Sequence, residues 1–262
     1  MTSPRTYQTQ AIVIKQTKLG EADKIVTLYT LEFGKLKAVA KGACRPGSKL
    51  GGNVEPPNYS LLMLAKGRNL DIITQSQTMD GFSSLKGDLW CISCGSYILE
   101  LIDVSTTEGS PNEPLFDLLL DTLKNLSPSN GDETVLRYFE LQLLHHLGYR
   151  PQLHKCVVCS SSLKPGLNFF SPSQGGVLCP GCNHAEFASR TISIDALKVL
   201  RLWQDCNYST ASRVKMSSKL SSELRQLMQE YITYLLQREV KSMAWLEQLR
   251  RGITIDSDCG VN

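Results

Sequence analysis

The sequence predicts an α+β protein: a small N-terminal five-stranded barrel, then a helical remainder into which a four-cysteine module is inserted. Three observations predict it. Five short β-branched or aromatic runs, each bounded by turn-forming residues, fall within residues 7–80. From about Ser84 the apolar residues recur with the period of a helix. Two C-x-x-C pairs, Cys156/Cys159 and Cys179/Cys182, stand nineteen residues apart inside that helical region.

The strands read in order as Ala11–Ile14, Ile25–Tyr29, Leu36–Ala40, Tyr59–Leu64 and Leu70–Thr74. Leu19-Gly20-Glu21, Glu32-Phe33-Gly34, Arg45-Pro46-Gly47-Ser48 and Lys66-Gly67-Arg68 supply the turns between them. An OB-type barrel has five strands and binds oligonucleotides. An SH3-like barrel gives the same count. Lys35, Lys37 and Lys41 share strand parity and so point to one face, with Leu36, Ala38 and Ala40 on the other. Arg45 and Lys49 follow in a Gly/Pro/Ser loop, Lys66 and Arg68 occupy a hairpin turn, and Lys24 opens the second strand. Any one of these cations suits an ordinary solvated face. Together in one small module they point to a polyanion. The module's aromatics are few (Tyr7, Tyr29, Phe33, Tyr59, Phe82), so binding is expected to rest on phosphates more than on base stacking.

Leu89, Ile92, Tyr97, Ile98, Leu101 and Ile102 line the first helix, which ends near Val104. Cys91 and Cys94 lie inside it at i and i+3 and read as small core residues rather than ligands. A second helix starts around Asn112 with Pro114 in its first turn and carries Leu115, Leu118, Leu119 and Leu123. A third starts near Asp132, carries Leu136, Phe139, Leu143 and Leu147, and stops at Gly148 with Pro151 beyond. His145 and His146 end it, as suits cations at the negative end of a helix dipole. Helices are also expected over Ser193–Trp203 and Leu220–Leu236. The second has a broad stripe of Leu224, Leu227, Met228, Tyr231, Ile232, Leu235 and Leu236, read as core rather than a partner groove.

Each C-x-x-C turn places two sulfurs on one side of a knuckle, and two such turns supply four soft ligands at tetrahedral corners. Gly175, Gly176 and Gly181 allow tight turning nearby. Cys156, Cys159, Cys179 and Cys182 are therefore assigned to one zinc ion. Two disulfides or four unrelated thiols are the alternatives. Four thiolates leave no open position for water, so the metal is expected to be structural. His184-Ala185-Glu186 resembles the H-x-E of zinc deaminases, but there the cysteine pair follows the H-x-E and here it precedes it. His154 and His184 flank the knuckles, where either could replace a cysteine ligand, and read as surface residues.

The net charge of +3 is unevenly spread. Residues 1–82 hold eleven Lys/Arg against six Asp/Glu, residues 83–154 four against ten, and residues 155–262 thirteen against nine. The alternation predicts modules with different partners. No apolar run reaches the length of a membrane span, and residues 1–9 lack the apolar core of a signal peptide. Nine cysteines, an odd number, fit a reducing cytoplasm better than a disulfide framework. P-loop, G-x-G-x-x-G and G-x-S-x-G motifs are absent.

Four stretches carry a family likeness. They are Gly20–Val26 with Gly34-Lys35 through Ala40–Ala43; Phe139–Leu144 followed by Leu147-Gly148-Tyr149-Arg150-Pro151 and Cys156-x-x-Cys159; Phe170-Ser171 with Gly175–Cys179-x-x-Cys182; and Val240-Lys241-Ser242 with Leu246. In this order and over nearly the whole chain, they resemble the bacterial RecO family of recombination mediators. The resemblance implies an N-terminal OB-fold over residues 1–82 and a helical domain over 83–153 and 188–252. It also implies a four-cysteine zinc module over 154–187, leaving a polar tail at 253–262. It implies a non-enzymatic, cytoplasmic, nucleoid-associated protein that binds single- and double-stranded DNA and anneals complementary strands. With RecR it would help load RecA onto DNA coated by single-strand-binding protein (SSB), and its helical domain would bind the acidic SSB tail. Such a tail needs an apolar pocket rimmed by cations; Arg190, Lys198, Arg201 and Arg225 are candidates by composition. A zinc-dependent nucleic-acid hydrolase or deaminase, and a pure interaction scaffold, are the competing readings.

Overall fold

The computed structural model describes residues 5–126, 133–184, 188–238 and 240–250. Asp132, Glu186 and the tail at 253–262, on which sequence expectations fall, lie outside them. Five strands close a barrel in the order β1-β2-β3-β5-β4. They are β1 (Thr6–Leu19), β2 (Asp23–Thr30), β3 (Gly34–Ala40), β4 (Tyr59–Ala65) and β5 (Asp71–Asp80). All ladders are antiparallel except a short parallel contact of β3 with β5, through Ala38 opposite Asp71 and Val39 opposite Ile72, which completes the closure. Bulges between Val13 and Lys15, and along β4–β5, bend the strands enough to curl the sheet. The Gly/Pro/Ser segment after β3 is not all loop: Lys49 begins a short helix, α1 (Lys49–Asn53).

The run Ala11–Ile14 does not alternate in burial, because both faces of β1 are covered. Ala11 and Val13 join Val26, Leu28, Ala38, Ala40, Leu62 and Leu64 inside the barrel. Ile12 and Ile14 face outward and, with Tyr29 and Tyr59, enter the core of the helical domain. Phe116 lies between the two tyrosines, with centroids 6.4 Å from Tyr29 and 6.2 Å from Tyr59. The β2–β3 turn is seated in the same seam. Gly34 has φ +65°, and a Cβ there would stand 2.2 Å from the Ser110 carbonyl oxygen, so only glycine fits under that loop.

The helical region comprises α2 (Ser83–Lys86), α3 (Leu89–Ser105), α4 (Glu113–Asn125), α5 (Thr134–His146), α6 (Ile194–Asp205), α7 (Tyr208–Ala211), α8 (Ser218–Leu236) and α9 (Lys241–Arg250). Side-chain caps at Asp88, Asn112, Ser193 and Ser217 start α3, α4, α6 and α8 by accepting a backbone N–H three residues on. The central helix is α5, buried from Thr134 to Leu144. Its two charges pair with each other: Arg137 lies 2.8 Å from Glu140 Oε1, and Tyr97 donates to the same oxygen at 2.6 Å.

The face of α3 differs from the sequence expectation. Leu89 and Ile92, expected to line the core, are exposed, while Cys91 and Cys94 are buried as expected, with Ser93 buried beside them. Small residues lie there because α9 returns across α3. Trp245 donates to Ser93, and the Glu100 carboxylate caps the start of α9 by accepting from the backbone N–H groups of Lys241 and Ser242. Between α5 and α6 a small sheet, ordered β7-β6-β8, is formed by β6 (Asn168–Ser171), β7 (Gly176–Leu178) and β8 (Arg190–Ile192). Among the described residues no helix is long and apolar enough to cross a membrane.

Candidate metal centre and nucleic-acid interface

The two knuckles are joined through β7. Val177 donates to Gln152 and Val157 donates to Val177, which lays the segment leading to Cys156 and Cys159 beside the strand leading to Cys179 and Cys182. Gly176 permits this approach: a Cβ on it would sit 2.4 Å from the Gln152 carbonyl oxygen. Gly175 holds a left-handed φ of +68° at the turn. Gly181 has no such φ and lies in a single 3-10 turn, Pro180–Cys182, so it is not needed for the reason the sequence suggested.

The four sulfurs lie within 4.8 Å of one another, and all four thiols are free. Cys159 and Cys179 sulfurs are 3.8 Å apart, which matches the roughly 3.8 Å edge of a tetrahedron with Zn–S bonds of about 2.3 Å. The donor set, count and spacing therefore fit a tetrathiolate metal ion. The surroundings favour the thiolate at Cys156 and Cys159. Burial pushes the Cys156 thiol pKa up, but backbone N–H groups of Cys159, Cys179 and Val158 outweigh it and bring it down. A hydrogen bond with the Ser161 hydroxyl leads the effects that hold Cys159 down to about 6. Hydrogen bonds to Cys159 and Cys179 push Cys182 up to about 12. A bound dication would displace the thiol protons. Cys91 and Cys94 stay outside this group: burial lifts them to about 11 and about 12, and they pack as neutral core thiols.

The basic candidates of the barrel fall into three situations. Lys41 and Arg45 are exposed at one end, and the Cys44 N–H bond to Ala22 ties their loop to the β1–β2 turn. Lys24 is half-buried there and bonds Gln16. Lys18, which sequence reasoning passed over, stands directly opposite Lys24 across the β1–β2 ladder. Like charges in that register are destabilising by themselves, and the pairing was the missed signal. Lys49 is exposed on α1 nearby. At the β4–β5 turn Lys66 and Arg68 are exposed, and the Lys66 N–H bonds the Arg5 carbonyl.

Lys35 is the correction. It shares outward parity with Lys37 and Lys41, but the helical domain covers it, leaving it 8% exposed. Its ammonium donates to the Asp103 carbonyl at 2.5 Å, and the Gly109 N–H bonds its own carbonyl. It is not part of an open cationic face. Lys37 is exposed but paired with Glu108 at 2.7 Å.

The four arginine and lysine candidates of the helical domain are not brought to one pocket. Arg190 pairs with Glu230 at 2.7 Å, and Lys198 lies 3.9 Å from Asp195. Arg201 donates twice to the Leu153 carbonyl, at 2.9 and 2.7 Å, tying α6 to the first knuckle. Arg225 bonds Glu133 and Ser222. A cleft of about 360 Å³ lies elsewhere, between α3, α5 and α8, lined by Leu101, Leu144, Leu147, Leu235 and Leu236 with Arg238 beside them. The stripe read as core therefore also forms a groove at its C-terminal end.

Comparison with known proteins covers almost the whole chain. The family described as Recombination protein O N terminal matches residues 1–82, and that described as Recombination protein O C terminal matches residues 87–244. A protein of Dehalococcoides mccartyi named DNA repair protein RecO is 37% identical over 250 residues, covering 95% of this chain and 98% of its own. One of the same name from a Roseiflexus species is 37% identical over 257 residues, covering 98% and 90%. Another from Desulforamulus reducens is 35% identical over 245 residues, covering 94% and 95%.

Proposed function

Because this chain belongs to the RecO family, with a role in DNA repair and recombination, we propose that it is a non-enzymatic mediator that holds DNA on its barrel and anneals complementary strands. The single observation that carries the reading is the closed barrel in the order β1-β2-β3-β5-β4 with exposed cations gathered at its β1–β2 end and β4–β5 turn. Those are the loops through which such barrels bind oligonucleotides. The contacting side chains are Lys18, Lys24, Lys41, Arg45, Lys49, Lys66 and Arg68, with Lys37 after release from Glu108. Annealing needs no catalytic group. Two strands on one basic surface have their repulsion screened and their local concentration raised.

The four cysteines hold one zinc ion that closes the knuckles and takes no part in chemistry, since all four positions are thiolates. In the cytoplasm the protein acts with RecR to load RecA onto SSB-coated single strands. The apolar end of the acidic SSB tail enters the cleft between α3, α5 and α8, beside Arg238. The test is strand annealing of complementary oligonucleotides, bare and SSB-coated. Acceleration of both, with loss of the second alone when SSB lacks its tail, supports the reading. Failure to accelerate bare strands refutes it.

A further inference from the structure

The sequence contains few aromatics in the barrel, but the fold spends them unequally. Tyr29, Tyr59 and Phe82 are buried. Phe33 is 40% exposed at the tip of the β2–β3 turn, although it is one of the most apolar side chains of the module. The turn that presents it is held on both sides. The Thr30 hydroxyl accepts from the Phe33 N–H at 3.1 Å and donates to the Gly34 carbonyl at 2.8 Å. Gly34 in turn is clamped under the Ser110 carbonyl. The ring is thus displayed in a fixed position rather than on a loose loop.

Phe33 also has neighbours suited to a ligand. Tyr7 meets it with centroids 4.8 Å apart at 67°, an edge contact that spends one face of one ring and an edge of the other. The Lys66 ammonium lies 4.4 Å over the Tyr7 ring, and both Lys66 and the Tyr7 hydroxyl bond the Asp71 carboxylate. Arg68 is exposed two residues further along the same turn. A partly exposed ring, anchored by a second ring that carries an ammonium over its face, is an arrangement on which an unpaired base stacks while its phosphates meet nearby charge.

We propose that Phe33, buttressed by Tyr7, which carries Lys66 over its ring, is a base-stacking subsite that gives the barrel a preference for single-stranded over duplex DNA. The proposal rests on the DNA-binding reading above and adds to it a contact with the base itself. A duplex offers no free base face away from its ends, so the subsite is engaged only by unpaired strands. Stacking needs no particular base, and the preference is for strandedness rather than sequence.

Fluorescence anisotropy at low salt tests it, with an oligothymidine and an abasic oligonucleotide of the same number of phosphates. Wild type should bind the oligothymidine at least about five-fold more tightly, the lower end of what one stacked base contributes. Phe33→Ala should bring it down to the abasic value and leave abasic binding unchanged, and Phe33→Trp should restore the gap. An unchanged gap in Phe33→Ala, or equal losses on both ligands, overturns the subsite. Wild type binding both ligands equally overturns the subsite and leaves the DNA-binding reading standing. Wild type binding neither overturns that reading as well.

Discussion

Reversing the charge of Lys35 separates a lysine on a solvated face from a lysine inside an interface. By strand parity alone Lys35→Glu and Lys41→Glu are equivalent changes. In the structure they are not. The Lys35 ammonium donates to the Asp103 carbonyl and lies 3.5 Å from the Asp103 carboxylate, with side-chain exposures of 10% and 24%. Losing a charge-assisted hydrogen bond from a covered group costs about 1.5–3 kcal/mol. Placing a carboxylate beside Asp103, which is partly screened by solvent, adds on the order of 1 kcal/mol. A total of roughly 2.5–4 kcal/mol is a large part of the typical 5–15 kcal/mol of a folded protein, and lowers Tm by about 5–16 °C for a chain of this size. Lys41→Glu should change Tm by less than about 2 °C, as for an exposed substitution. Thermal unfolding followed by circular dichroism measures both, and DNA binding measured well below each transition completes the comparison. Equal, small Tm changes would refute the reasoning: Lys35 would then be solvated and the seam between barrel and helices would not be packed as described.

Reversing Lys24, Lys41 and Arg45 together to Glu should flatten the slope of log affinity against log salt by about 2 for single strands, at roughly 0.7 per lost phosphate contact, and slow annealing; an unchanged slope in a folded variant places the DNA elsewhere. Cys179→Ser should abolish stoichiometric zinc and make the region around residues 152–184 protease-sensitive while the barrel keeps its strands; full metal content by atomic absorption contradicts the assignment. Cys91→Ala with Cys94→Ala should leave the metal content unchanged, and loss of metal would show the wrong cysteines were chosen. Burial, partly offset by Arg137 and by the Tyr97 hydrogen bond, raises the Glu140 pKa from 4.5 to about 6. The folded state therefore binds more protons than the unfolded state between those values, and this group's contribution to stability falls by about 2 kcal/mol as pH rises through them. Comparing wild type with Glu140→Gln by urea unfolding at pH 4.5 and pH 7 measures that change, and a pH-independent difference between the two rules it out.

Much of the fold was legible because its signals are local. Strand parity placed Leu36, Ala38 and Ala40 inside the barrel, and cap residues set the starts of α4 and α6. The four-cysteine spacing is likewise a local pattern. What escaped was decided by contacts distant in sequence. Parity put Lys35 outward, yet nothing near it shows that the Asp103–Ser110 segment would cover that side. Arg201 looked like a surface cation because its partner is a backbone carbonyl, which no side-chain pattern marks. The α3 face was misjudged at Leu89 and Ile92 because helical period finds apolar positions but does not reveal a second helix resting on small residues. The strands β6, β7 and β8 are too short to show a period.

The aromatic seam at Tyr29, Phe116 and Tyr59 has a consequence for how the protein can be divided. Strand order alone would make the barrel a self-sufficient unit, but its outer wall is also the floor of the helical core. Cut free, residues 1–82 would bare Ile12, Ile14, Tyr29, Tyr59 and Phe82 in one contiguous sticky region, and the fragment would self-associate rather than behave as a miniature of the whole. Within the intact chain the same seam packs the two halves into one shared core. With that packing kept, a molecule gripped by the barrel and another gripped by the helices would be carried at one set distance and angle, like tools fixed to a single handle, and no tether length would enter their encounter.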